Sequence, residues 1–154
     1  MSKVGCSYFP GIVQHVLTPN AVEIMLDLAF SVHTSRRFTL EEVPLPDRSD
    51  ETTWDRARHC LVVLLGGKRV VVQMSARDCS NDSARNFIPA RVYLDTRIDP
   101  QTVGYTPSVP GWHRPMLDVN TFFASIAVGG YRVATVRAAL NHTRGANHGE
   151  SVQL

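Results

Sequence analysis

Long apolar runs are missing from this chain. No apolar stretch reaches the roughly 18 residues that a spanning helix needs, so no membrane span is expected. Blocks of like charge are missing too. The 16 basic and 14 acidic residues leave a net charge of only +2. They also alternate along the chain: Arg36 and Arg37 precede Glu41 and Glu42, and Asp55 precedes Arg56. Composition therefore announces no basic face of the kind that dominates nucleic-acid binding. Cysteines are few and odd in number, at Cys6, Cys60 and Cys79, which excludes a disulfide framework and points to an intracellular, reducing compartment. Of the six histidines, His15, His33, His59, His113, His142 and His148, no two stand at a compact ligand spacing beside a carboxylate. No metal site and no cofactor are expected. The N-terminus has one lysine and no apolar core segment, unlike a signal peptide. Neither a repeat nor a low-complexity tract is present.

What is there is ordinary globular material. Hydrophobic residues make up 44% of the 154, enough for one domain with a real core. GIVQHVL (11–17) reads as a strand, Pro19-Asn20 as a turn, and AVEIMLDLAF (21–30) as a second strand. In the latter Val22, Ile24, Leu26 and Leu28 share one face, the period of two of a half-buried strand. SVHTS (31–35) is a hairpin connection and RRFTLEEV (36–43) a third strand. Pro44 and Pro46 end it, because proline removes a ladder donor. Ser49 or Asp50 can cap a helix from Glu51, whose apolar stripe Trp54, Ala57, Leu61, Leu64 and Leu65 has helical spacing and stops at Gly66-Gly67. KRVVVQM (68–74) and IPARVYLD (88–95) are the fourth and fifth strands. A second helix begins around Asp118 or Asn120, and YRVATVRAAL (131–140) continues as helix or strand. The chain thus divides into an N-terminal arm (1–10), one domain (11–140) with an inserted Pro/Gly-rich loop (99–116), and a polar tail (141–154).

The order of these elements, with the segments LDLAFSVHTSRRFTLEEVPLPD, RARHCLVVLLGGKRVVVQ, ARVYLD and LDVNTFFASIAVGGYRVA, resembles the staphylococcal nuclease-like family over roughly residues 11–98 and 117–134. The resemblance implies a mainly β fold with helices (α+β), a five-stranded OB-fold barrel in β-β-β-α-β-β-α order. It also implies where a nuclease site would stand. The family's first turn, Asp-Gly-Asp-Thr, is similar in position to Thr18-Pro19-Asn20-Ala21, which puts an amide at Asn20 where the family has a calcium-binding carboxylate. The motif Asp-Thr-Pro-Glu aligns with Pro44-Leu45-Pro46-Asp47, so a second metal carboxylate is lost at Pro44 and the catalytic glutamate is shortened to Asp47. The catalytic arginine before it aligns with Thr39. The arginine expected ahead of the fifth strand has its nearest counterpart in Arg85, two residues early. Calcium wants several oxygen ligands with charge among them, and phosphodiester cleavage wants cations on the phosphate. Losing one such group typically costs on the order of 10²–10³-fold in rate.

No catalysis is therefore expected. The resemblance leads to a non-catalytic nuclease-like OB domain, a structural or protein-interaction subunit of a larger assembly. Its contact residues would be Tyr105, Trp112, His113 and Arg114 in the 99–116 loop, because Tyr, Trp and Arg are typical interface anchors and prolines stiffen the loop that carries them. A non-cleaving single-stranded nucleic-acid-binding module is the alternative, using Arg36, Arg37, Arg56, Lys68 and Arg69. A second alternative is an active phosphodiesterase with a site rearranged around Asp47.

Overall fold

The computed structural model describes residues 6–75 and 87–141. Their order is β1 (Cys6–Thr18), β2 (Ala21–Asp27), β3 (His33–Leu40), α1 (Glu51–Leu65), β4 (Arg69–Ser75), β5 (Ile88–Leu94), β6 (Tyr105–Thr106), β7 (Met116–Asp118) and α2 (Val119–Val128). A third helix, α3, occupies 133–141. The class is α+β, with a mainly antiparallel sheet in the order β3-β2-β1-β4-β5-β7-β6. One pairing departs from that order: β3 also runs parallel to β5, with Phe38 opposite Ile88 and Leu40 opposite Ala90.

β1 is longer than its sequence suggests and starts at Cys6, not Gly11. Pro10 hides the extension, because a proline normally ends a central strand. Here Cys6–Ile12 pairs with β4 while Gly11–Thr18 pairs with β2, so one strand serves two neighbours in succession. Gly11 stands where the two ladders overlap. A Cβ there would lie 2.7 Å from Ile24 Cγ2 and 2.8 Å from the Met25 carbonyl oxygen, so only glycine allows β2 this close.

Alternation then sorts the side chains. Val13, Val22, Ile24, Leu26, Phe38, Leu40, Val70, Val72, Ala90, Val92 and Leu94 face the core. α1 closes one side of it with Ala57, Cys60, Leu61, Leu64 and Leu65, and α2 adds Phe122, Phe123 and Ile126. Fully burying each Leu or Phe is worth about 1.5–3 kcal/mol. Both helices start on aspartate caps: Asp50 Oδ1 accepts from Thr53 N at 3.1 Å and Asp118 Oδ1 from Thr121 N at 3.2 Å. After α1, Lys68 Nζ reaches back to the Val63 and Leu64 carbonyls, each at 3.4 Å, where the helix dipole is negative.

β2 ends at Asp27, short of the expected Phe30. The period of two continues through Leu28 and Phe30, but the backbone leaves the strand: Ala29, Phe30 and Ser31 all have positive φ, at 76°, 54° and 64°. Trp54, expected on the apolar stripe of α1, is half-buried beneath the Arg48 guanidinium, 4.7 Å from its ring centroid.

Candidate functional site

Three places in the molecule hold side chains whose chemistry invites a function. The first is the turn between β1 and β2. Thr18 Oγ1 donates to Asn20 Oδ1 at 3.0 Å and accepts from Asn20 N at 3.2 Å. Asn20 Nδ2 donates to the Val43 carbonyl at 3.3 Å, and the Asn20 carbonyl accepts from Leu40 N at 2.8 Å. The turn is thereby stitched to the segment that leaves β3. Thr39 stands opposite Ala21 in the β2–β3 ladder, half-buried. Pro44 is exposed. Asp47 is exposed and turned onto its own chain: Oδ1 accepts from Ser49 N at 2.9 Å and from Ser49 Oγ at 2.8 Å. Those two hydrogen bonds hold its pKa below the usual carboxylate range, so it is an anion and a poor proton acceptor at neutral pH. Arg85 lies outside the described residues, as do Cys79, His142 and His148. Among the described residues no group of three or more His, Cys, Asp or Glu side chains is placed to hold a metal ion.

The same exit segment from β3 is held from the other side by α2. Asn120 is 1% exposed, and its amide is fully used: Oδ1 accepts from Val92 N at 2.9 Å, and Nδ2 donates to the Glu41 and Ala90 carbonyls at 2.9 and 3.0 Å. Beside it Arg91 grips Asp118 with Nη1, at 3.0 and 2.7 Å to the two carboxylate oxygens, and Glu42 with Nη2 at 2.5 Å. This is a charge-assisted network closing β5 onto α2. Burial opposes the Arg91 charge, yet the Asp118 carboxylate beside it keeps its pKa above the ordinary value.

The second place is the β2–β3 tip. Phe30 is 96% exposed, with Val32 at 51% and Leu28 at 39%. The loop is not loose in its hydrogen bonding. Leu28 N donates to the Val32 carbonyl and Val32 N to the Ala29 carbonyl, both at 2.9 Å, and Ala29 N donates to Asp27 Oδ1 at 3.0 Å. A bulky residue with positive φ costs on the order of 1 kcal/mol or more. Here it gains no packing in return.

The third is the outer surface of the sheet beneath the 99–116 loop. The loop folds back as a flap over β4 and β5. Val109 and Met116 are buried against Val71, with Tyr8, Tyr93 and Trp112 packed around them. Tyr105 forms β6 against Leu117 and packs on the main core. His113 is exposed, at φ 54°. Arg114 clasps Asp95 through Nε at 3.1 Å and Nη2 at 2.6 Å. Tyr93 Oη donates to Gln73 Oε1 at 2.8 Å, and burial pushes the Tyr93 phenol up to about 12. Between the flap and the β1–β2 surface lies a cleft of about 320 Å³ lined by Ile12, Met25, Asp27, His33, Arg69, Asp95, Trp112 and Arg114. No local signal in the sequence marks it, since its residues come from four strands, the end of β5 and the flap.

The five basic residues of the nucleic-acid alternative are spread over several elements. Arg36 and Arg37 leave opposite faces of β3. Arg36 lies beside Phe9, Met74 and Ile88, and Arg37 Nε stands 3.8 Å from Glu23. Arg56 is exposed on α1, Lys68 caps that helix, and Arg69 enters the cleft. Arg37 and Arg69 share the outer face but are three strand spacings apart, roughly 14 Å. No helix among the described residues is long and apolar enough to cross a membrane.

No protein-family model matches this chain, and no curated protein or solved structure does so either.

Proposed function

We propose that this chain is a catalytically degenerate member of the staphylococcal nuclease-like family, built on a five-stranded OB barrel and serving as a protein-interaction or structural subunit of a larger assembly. The pairing circuit β1–β2–β3–β5–β4–β1 supports the barrel, because each of the five strands bonds to two others. So does the shared strand β1 with glycine where its two ladders overlap. The loss of catalysis is supported by the use of Asn20 and Asp47 in hydrogen bonds of the fold itself.

The observation that carries an interaction role is Phe30. A strained, solvated aromatic at a hydrogen-bonded tip is costly to the isolated fold and fits an anchor that a partner protein's apolar pocket would bury. No lysine or arginine lies between Asp27 and Ser35, so the tip does not suit a phosphate backbone.

Two measurements test this. Incubation with single-stranded DNA and RNA in calcium leaves both uncleaved; chelator-sensitive cleavage, abolished in Asp47→Ala, would establish the rearranged phosphodiesterase instead. Photo-crosslinking from position 30 in the native assembly yields one discrete protein adduct, and Phe30→Ser releases that same protein from the assembly without lowering Tm. Crosslinks to nucleic acid, weakening steeply with salt, would favour the nucleic-acid module.

A further inference from the structure

The cleft beneath the flap takes no part in the reading above, and its side chains have a definite chemistry. Ile12 lies opposite both Met25 and Arg69, so these three form one row on the outer face of β2, β1 and β4. Ile12 is 40% exposed there, an apolar floor left open in the middle of the sheet. Trp112 supplies the wall. Above the floor stand two carboxylates and two guanidinium groups, but they are not equivalent. Asp95 is closed in a two-point pair with Arg114. Asp27 accepts from Ala29 N and has His33 as its cross-strand neighbour. Arg69 has neither an ion pair nor a hydrogen bond to its side chain among the described residues, and it is exposed into the cleft.

We infer that this cleft binds a small monocarboxylate with an apolar body. The carboxylate sits on the fork of Arg69, whose donors match two oxygens of one plane. The body lies on Ile12 and Met25 against the Trp112 indole. The size agrees, since a cavity of about 150 Å³ already takes benzene. The charge balance sets the valence. Arg69 is the guanidinium with no carboxylate paired to it among the described residues, while the unpaired Asp27 and the Arg114-bound Asp95 line the same space and repel further negative charge on the ligand. A phosphate monoester is thereby selected against. Free aryl or alkyl acids and the C-terminal carboxylate of an apolar peptide share the required chemistry. The site stands or falls independently of the nuclease-like reading, since none of its residues belongs to that family's site positions.

The two tryptophans make the test direct. Trp54→Phe leaves Trp112 as the only indole, and its fluorescence reports the cleft. That variant is titrated with phenylacetate and with N-acetyl-alanyl-phenylalanine, each beside its primary amide, and with phenyl phosphate. At least one acid gives saturable quenching, and whichever binds more tightly names the source. The matching amide binds at least about tenfold more weakly, the worth of one charge-assisted hydrogen-bonded pair. Phenyl phosphate is weaker than phenylacetate. Arg69→Gln costs the acid a similar factor at unchanged Tm, Arg69→Lys recovers part of it, and Arg37→Gln changes nothing. Equal binding of acid and amide overturns the assignment, as does phosphate binding tighter than carboxylate. So does an Arg69→Gln protein that titrates like its parent, or quenching that never saturates with either acid.

Discussion

Two turns of the same meander are built on opposite terms. The β1–β2 turn engages its polar side chains: Thr18 and Asn20 bond to each other, and the Asn20 amide and carbonyl bond to Val43 and Leu40. Pro19 is buried. The β2–β3 turn puts Ala29, Phe30 and Ser31 into left-handed conformations and leaves the phenyl ring in water. In the first turn the polar side chains are consumed by the fold. In the second the fold carries a cost that its own contacts do not return. A position whose side chain is fully engaged internally has little left for a ligand, whereas one that is strained and unburied makes sense only with something outside the chain.

The contrast can be broken most sharply through Asn120, which shares with Asn20 the task of holding residues 41–43. Asn120→Leu leaves Val92 N and the Glu41 carbonyl without their partner, and the Ala90 carbonyl with Glu41 N alone. Each unsatisfied buried group costs about 1–3 kcal/mol, so urea denaturation shows a loss of about 3–5 kcal/mol at unchanged m. A loss under 1 kcal/mol would mean that the segment is not tied down as described. Asn20→Asp comes next. It puts an acid where the nuclease-like resemblance would place a metal carboxylate but removes the donor to Val43, so stability falls by about 1–2 kcal/mol. Millimolar calcium leaves the melting temperature of this variant unmoved; a calcium-dependent rise would return the turn to the metal-site class. The smallest effect has the opposite sign. Phe30→Gly relieves the positive φ against a larger unfolded-state entropy, for a net gain of about 0.5–1 kcal/mol and roughly 2–4 °C in Tm. A destabilised Phe30→Gly protein would show that the ring packs on its own chain in solution.

Much of the element order was legible in the residues. The alternation of 21–27 and the helical stripe of 57–65 are strong local patterns, and Asp50 and Asp118 announce helix starts by their caps. What escaped was decided elsewhere than in local pattern. Pro10 reads as a strand end because its missing N–H matters in most central strands, yet β1 runs through it. Leu28 and Phe30 prolong the apolar alternation, and nothing about Ala-Phe-Ser signals a left-handed turn, which glycine or asparagine would have marked. The cleft is invisible in sequence for a topological reason. Ile12, Met25, Arg69 and Asp95 become neighbours only once β2, β1, β4 and β5 lie side by side. Of the nuclease-like positions, Asn20 could be read as a lost ligand, but its bond to Val43 is long-range and appears only in the folded chain.

The parallel ladder between β3 and β5 has a consequence for how the chain is made. Phe38 must wait for Ile88, and Leu40 for Ala90. While the ribosome is still adding those residues, β1, β2 and β3 can already form their meander, with Val22, Ile24 and Phe38 turned toward a core that does not yet exist. The nascent chain thus passes through a stage with an uncovered apolar face and an open β3 edge. That stage exposes it to the aggregation and chaperone capture that non-local strand pairing invites. Slow or stalled translation between β4 and β5 would prolong that exposure.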